Sequence, residues 1–263
     1  MNLLRLWLRA LPAYLWSGWG AVASLLLLIA AWEAVSQRYG ALVLPDPREA
    51  FGTLYALLAA GPGLGELAIT ARRALAGLAL AIAAGSVLGL VAGLSMTAST
   101  VSRPLVTVLM GMPPIAWLVL AMLWFGATDG TPVFTVFIAC FPLVFVGALQ
   151  GARTLDSGLR DMARSFRLPL RMQVFDVYLP HMLSYLFPSW ITALGVSWKV
   201  VVMAELIASS DGVGAALAAS RSQLDTATTM AWISAIVGLL LAAEYLVFEP
   251  FKREVERWRS PQS

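Results

Sequence analysis

Residues 153–180 read RTLDSGLRDMARSFRLPLRMQVFDVYLP, the one long polar interruption in an otherwise apolar C-terminal half. Arg153, Arg160, Arg164, Arg167 and Arg171 lie in it, with Asp156, Asp161 and Asp176 among them. Apolar stretches long enough to span a bilayer flank it on both sides, so the segment itself belongs in water. Five arginines in one inter-span loop put that water on the cytoplasmic side, because loops of this length carry the positive-inside bias. Met162, Phe166, Leu170, Val174 and Val177 recur at steps of three and four, the apolar stripe of an amphipathic helix. Leu168-Pro169 is the expected break between two short helices, and the loop is read as a preformed knob for a cytosolic partner.

Composition sets the class. The chain has 263 residues, 59% of them hydrophobic and only 13% charged, with a mean hydropathy of +0.78. A water-soluble domain of this length carries about twice that charge, so the chain is read as an integral membrane protein. Its one cysteine, Cys140, falls inside an apolar stretch, which leaves no material for an internal disulfide and almost none for thiol or metal chemistry. The single histidine, His181, sits at a membrane boundary and reads as an interface residue. The excess of basic residues is accounted for by cytoplasmic anchoring, so no nucleic-acid partner is called for.

Six membrane spans are expected, at about 17–36, 71–94, 104–125, 132–152, 185–209 and 230–248. Residues 1–16, with Arg5 and Arg9 among Leu and Trp, form a cytoplasmic interfacial tail; residues 153–180 form the cytoplasmic loop, and 249–263 a basic cytoplasmic tail. Twelve Lys and Arg side chains then fall inside and five outside, which favours both termini in the cytoplasm. Asp46, Pro47 and Glu49 have the pattern of a helix start, so a short outer helix is expected there. Gly85, Gly89 and Gly93 make one small stripe along the second span, where another backbone can approach. Pro113 and Pro114 should kink the third span, which makes it a candidate pathway liner. The fifth span holds Lys199 and Glu205, and an ionisable group at that depth costs roughly 2.5–3.5 kcal/mol on insertion scales. Six residues separate them, about 120° around a helix, so they are not expected to pair directly; either can face a polar pathway or a subunit interface. Residues 210–225 should form an outer turn and a partly embedded helix.

The run Asp161-Met162-Ala163, with Val177, Leu179 and Pro180 at the matching distance, resembles the cytoplasmic Glu-Ala-Ala loop of permease subunits of bacterial binding-protein-dependent ABC importers. Arg164 lies within the motif, and Arg167 stands where it has Gly, so the bend that a glycine would allow has to be made elsewhere, at Pro169 for instance. The stretch from Trp198 to Glu205, followed by Asp211-Gly-Val-Gly214, is similar to the branch that takes up nitrate, sulfonates, taurine and related solutes. The resemblance implies an all-α, six-span type I permease fold in the bacterial inner membrane. It also implies a second copy of the chain, a dimer of cytosolic ABC ATPases and an extracytoplasmic solute-binding protein. No phosphate-binding Gly-x-x-x-x-Gly-Lys-Ser/Thr loop occurs in the sequence, so ATP and its magnesium are expected on the partner ATPase, with no cofactor and no catalytic residue in this chain. An ATP-independent secondary transporter or a channel is the competing class, although no internal repeat of the kind secondary transporters show is visible. The residue pattern leaves nitrate, alkanesulfonates and heterocyclic vitamin precursors all open as solutes.

Overall fold

The computed structural model describes residues 3–59, 61–154, 158, 165–166, 168–172 and 179–242. All regular structure among them is α-helical: α1 (Leu3–Tyr39), α2 (Pro47–Ala59), α3 (Pro62–Leu94), α4 (Met96–Gly111), α5 (Pro114–Phe125), α6 (Gly130–Arg153), a single turn at Leu170–Met172, α7 (Leu179–Ala208), α8 (Val213–Ser222) and α9 (Thr226–Ala242). Gly63–Leu94, Gly130–Arg153 and His181–Ala208 are each long and apolar enough to cross a bilayer, and α4 and α5 pass the same test only as a pair. The fourth and fifth expected spans coincide closely with α6 and α7. The first and sixth fall on α1 and α9, with residues 243–248 outside the described set.

α6 lies between α3 and α7. The glycine stripe of α3 faces it: a Cβ on Gly77 would stand 2.6 Å from the Val133 carbonyl oxygen, and one on Gly93 would stand 2.5 Å from Ala152 Cβ. Gly89 lies equally close to the Phe145 carbonyl. The stripe is therefore spent inside one subunit, bringing two backbones into contact without side chains between them. On its other side α6 offers Gly147 to Ser189 and Gly151 to Tyr185 of α7. Between the three helices Ala74, Leu78, Val136, Cys140, Val144, Ala193 and Val201 form the main core. Within it the Cys140 thiol donates to the Ala193 carbonyl at 3.2 Å.

Three expectations are corrected here. The third expected span does not start at 104: Arg103 already lies within α4, a helix capped at its start by Ser95, whose hydroxyl accepts from the Ala98 amide at 3.3 Å. The third span is not a kinked continuous helix but two helices meeting at 94°. Each proline disfavours helical backbone in the residue before it. Met112 (ψ 127°) and Pro113 (ψ 141°) are accordingly both extended, so the helix stops outright. Finally, α3 begins nine residues before the expected start, at Pro62. Gly61, at φ +92°, makes the turn that frees Pro62 to open the helix, which carries Arg72 and Arg73 into the helical body.

The outer helix expected after Asp46 is present as α2. The Asp46 carboxylate accepts from the Arg48 amide at 2.7 Å, and the Trp32 indole donates to the Pro45 carbonyl at 2.9 Å, tying α1 to this entry. Leu54, Leu57 and Leu67 pack on the buried cluster of Val213, Trp232 and Ala235, and α2 is docked mainly onto α9.

Candidate functional site

Arg73, Asp129, Glu205 and Asp211 converge at one end of the bundle, where α3, the turn before α6, the end of α7 and the start of α8 meet. Glu205 is fully buried and Arg73 is 3% exposed. Arg73 Nη1 donates to Glu205 Oε1 at 3.0 Å and to the Asp211 carbonyl at 2.9 Å. Its Nη2 donates to Asp211 Oδ1 at 2.6 Å and to Asp129, and its Nε donates to Asp129 Oδ1 at 2.8 Å. All five guanidinium donors are thus used, which is what allows a buried arginine to stay charged without a large penalty. Arg72, itself exposed, reaches the other oxygen of Asp129 at 2.5 Å. The two guanidinium groups hold the Asp129 carboxyl below its ordinary value, Arg73 contributing most.

The same carboxylates gather the start of α8. Glu205 Oε2 accepts from the Thr70 hydroxyl at 2.8 Å and from the Gly214 amide at 3.1 Å. Thr70 in turn accepts from the Val213 amide at 2.9 Å, and Glu66 accepts from the Gly212 amide. Three consecutive amides at a helix start, which would otherwise lack acceptors, are satisfied by side chains of α3 and α7. Gly212, at φ +92°, is wedged against the Glu205 carboxylate, and no Cβ would fit there. The chemistry is that of a clamp: one buried ion pair, braced by a hydroxyl and by backbone dipoles, joins four elements.

Lys199 is not part of it. Glu205 points into the clamp while Lys199 is exposed on α7, with no ion-pair partner among the described residues, as their angular separation requires. Pro113 is exposed and Pro114 half-buried at the α4–α5 break. Asp161, Met162, Ala163, Arg164, Arg167 and Val177 lie outside the described residues; Leu179 and Pro180 open α7. Loop 153–180 joins the ends of α6 and α7 remote from the clamp, about 36 Å away along the 24 residues of α6. Among the described residues no group of three or more His, Cys, Asp or Glu is placed to hold a metal ion.

Residues 81–258, well over half of the chain, match the family described as binding-protein-dependent transport system inner membrane component. The chain belongs to that family. It is a permease subunit of an ABC importer, similar to the nitrate, sulfonate and taurine branch, and a transport component of a membrane system. A putative aliphatic sulfonates transport permease of Bacillus subtilis is 29% identical over 89% of this chain and 85% of its own length. The taurine transport system permease of Escherichia coli is 28% identical over 90% and 89%. A nitrate import permease of Synechococcus elongatus is 24% identical over 73% of each.

Sequence reasoning singled out Glu205 as a charge that needs a reason, set aside a direct pair with Lys199, and assigned it to a polar pathway or a subunit interface. It missed Arg73, Thr70, Glu66, Asp129 and Asp211. The signal that was available is the Arg72-Arg73 pair beside an apolar run, two of the five cations counted on the outer side. A buried glutamate 132 residues away is the group that gives it a reason.

Proposed function

We propose that this permease works as a pair of identical subunits with six spans each, both termini in the cytoplasm, and that it moves a small oxyanion-bearing solute inward across the bacterial inner membrane. Two cytosolic ATPases grip the loop of residues 153–180 through Asp161, Met162, Ala163, Arg164, Arg167, Val177, Leu179 and Pro180, and bind the ATP and magnesium. A solute-binding protein delivers the cargo at the clamp end. Closing and opening of the ATPases rocks the helices that follow the loop, and the pathway opens to alternate sides. The solute class is supported by the relatives, named for aliphatic sulfonates, taurine and nitrate. The observation that carries the reading is the family match over residues 81–258, which takes in the whole loop and every helix from the middle of α3 onward.

Co-purification tests the coupling. Replacing Asp161 or Ala163 with a bulky residue should abolish recovery of the ATPase with the permease and abolish ATP-dependent uptake, with membrane insertion preserved. Unchanged assembly and uptake in both variants would mean that the ATPases do not grip the permease through these residues.

A further inference from the structure

Lys199 stands on a single stripe of α7. Pro188, Thr192, Gly195 and Lys199 follow one another at steps of four, three and four, so they share one helix face. Pro188, Thr192 and Lys199 are exposed, and a Cβ on Gly195 would meet nothing within 4 Å. Trp198 and Val200, on either side of Lys199, are buried in the subunit core. One subunit therefore turns an open face outward along a helix that crosses the bilayer, with a cation on it and, about two turns further in, the Thr192 hydroxyl, which donates to the Pro188 carbonyl at 2.9 Å. The lysine is about 9 Å along the axis from Glu205 and about 30 Å from the start of α7 at Leu179. Its neighbours toward the clamp end are Met203, Leu206 and Ile207, the last of them 45% exposed. The polar and open positions instead run inward from it.

An ammonium group in that position has no carboxylate among the described residues and would be poorly placed against lipid tails. It is well placed against water and a passing anion, to which it can donate three hydrogen bonds. We infer that Lys199 lines the translocation pathway and selects for oxyanions, a sulfonate or nitrate oxygen docking on its ammonium with Thr192 and the open wall at Gly195 as the continuation inward. In a two-fold pair the stripe is presented twice, so the pathway offers two such cations. This rests on the importer reading above and deepens it by naming the group that meets the cargo.

The test uses the assembled transporter, with ATPase and binding protein, in liposomes, and three labelled probes: ethanesulfonate, taurine and nitrate. Lys199→Gln should lower the uptake of a transported probe by about tenfold or more, the size of a lost hydrogen bond to a charged group, whereas Lys199→Arg keeps most of it. Lys199→Cys should react with water-soluble thiol reagents. An aminoethyl adduct, which rebuilds a cation, should restore uptake, and a sulfonatoethyl adduct should not. The buried Cys140 of the unmodified chain is the unreactive control. Full uptake by Lys199→Gln, equal rescue by adducts of either charge, or a Lys199→Cys thiol that no water-soluble reagent reaches would each overturn the inference while leaving the importer reading intact. Failure of the unmodified assembly to take up any of the three probes would overturn the oxyanion reading itself, and this inference with it.

Discussion

At the scale of single residues the clamp is an all-or-nothing device. A buried ion pair adds little over a well-packed apolar pair, but removing one partner strands the other, at about 3–5 kcal/mol. Arg73→Met leaves Glu205 with only Thr70 and Gly214, and should lower stability by that order, read as a fall in the unfolding temperature of the detergent-solubilised permease. Glu205→Gln keeps the shape but turns an amide donor or a weaker acceptor toward Arg73, so a loss of similar sign is expected. The double variant should lose clearly less than the sum of the two, because the second change removes the stranded group. Asp129, half-exposed, should matter less. Its folded pKa lies below the ordinary 3.8, so its contribution is fully present above that value and disappears as pH falls through the lower folded value. The difference in unfolding temperature between the unmodified chain and Asp129→Asn should therefore be flat above pH ~4 and close only in stronger acid. A difference that instead closed between neutral pH and ~5 would show that the aspartate is not held by the two arginines.

At the scale of elements, much was legible because it depends on local rules. The alternation of apolar spans with polar turns located α6 to within two residues and α7 to within six, and the Asp46-Pro47 start located α2. The depth of the break at Met112-Pro113 was not legible, since a single proline kinks and only two successive pre-proline restrictions force two extended residues in a row. Nor was the partner of the glycine stripe: Gly85, Gly89 and Gly93 announce a close approach, but the sequence does not say whether the neighbour is the same chain or another. Here it is α6 of the same chain, and that makes a contrast. Gly89→Ala would drive a methyl into the Phe145 carbonyl and Ala148, and should cost about 1–3 kcal/mol through overpacking. Gly238→Ala, in α9 with nothing within 4 Å of the added carbon, should be neutral or stabilising by up to ~1 kcal/mol. Thermal unfolding of the two variants side by side checks the pair, and equal effects would mean that α3 and α6 are not in the contact described.

At the scale of the whole molecule, the charge asymmetry read from the sequence and the geometry make one joint statement about orientation. Twelve Lys and Arg were assigned to one side and five to the other, and the two most awkward of the five, Arg72 and Arg73, turn out to be held by Asp129, Asp211 and Glu205. Their place at the clamp end is thus fixed by acidic partners folded around them, so it is set by ion pairing and does not depend on the bias. The clamp and the loop of residues 153–180 lie at opposite ends of α6, so one labelling experiment decides the orientation of both. Arg72 is 66% exposed at the clamp end, and Ser165 is exposed within the loop. Arg72→Cys should react with a membrane-impermeant thiol reagent in intact cells, and Ser165→Cys only after the inner membrane is opened, each measured against the silent buried Cys140. The opposite pattern would invert the molecule, put the arginine-rich loop out of reach of any cytosolic ATPase, and remove the mechanical basis for coupling through it.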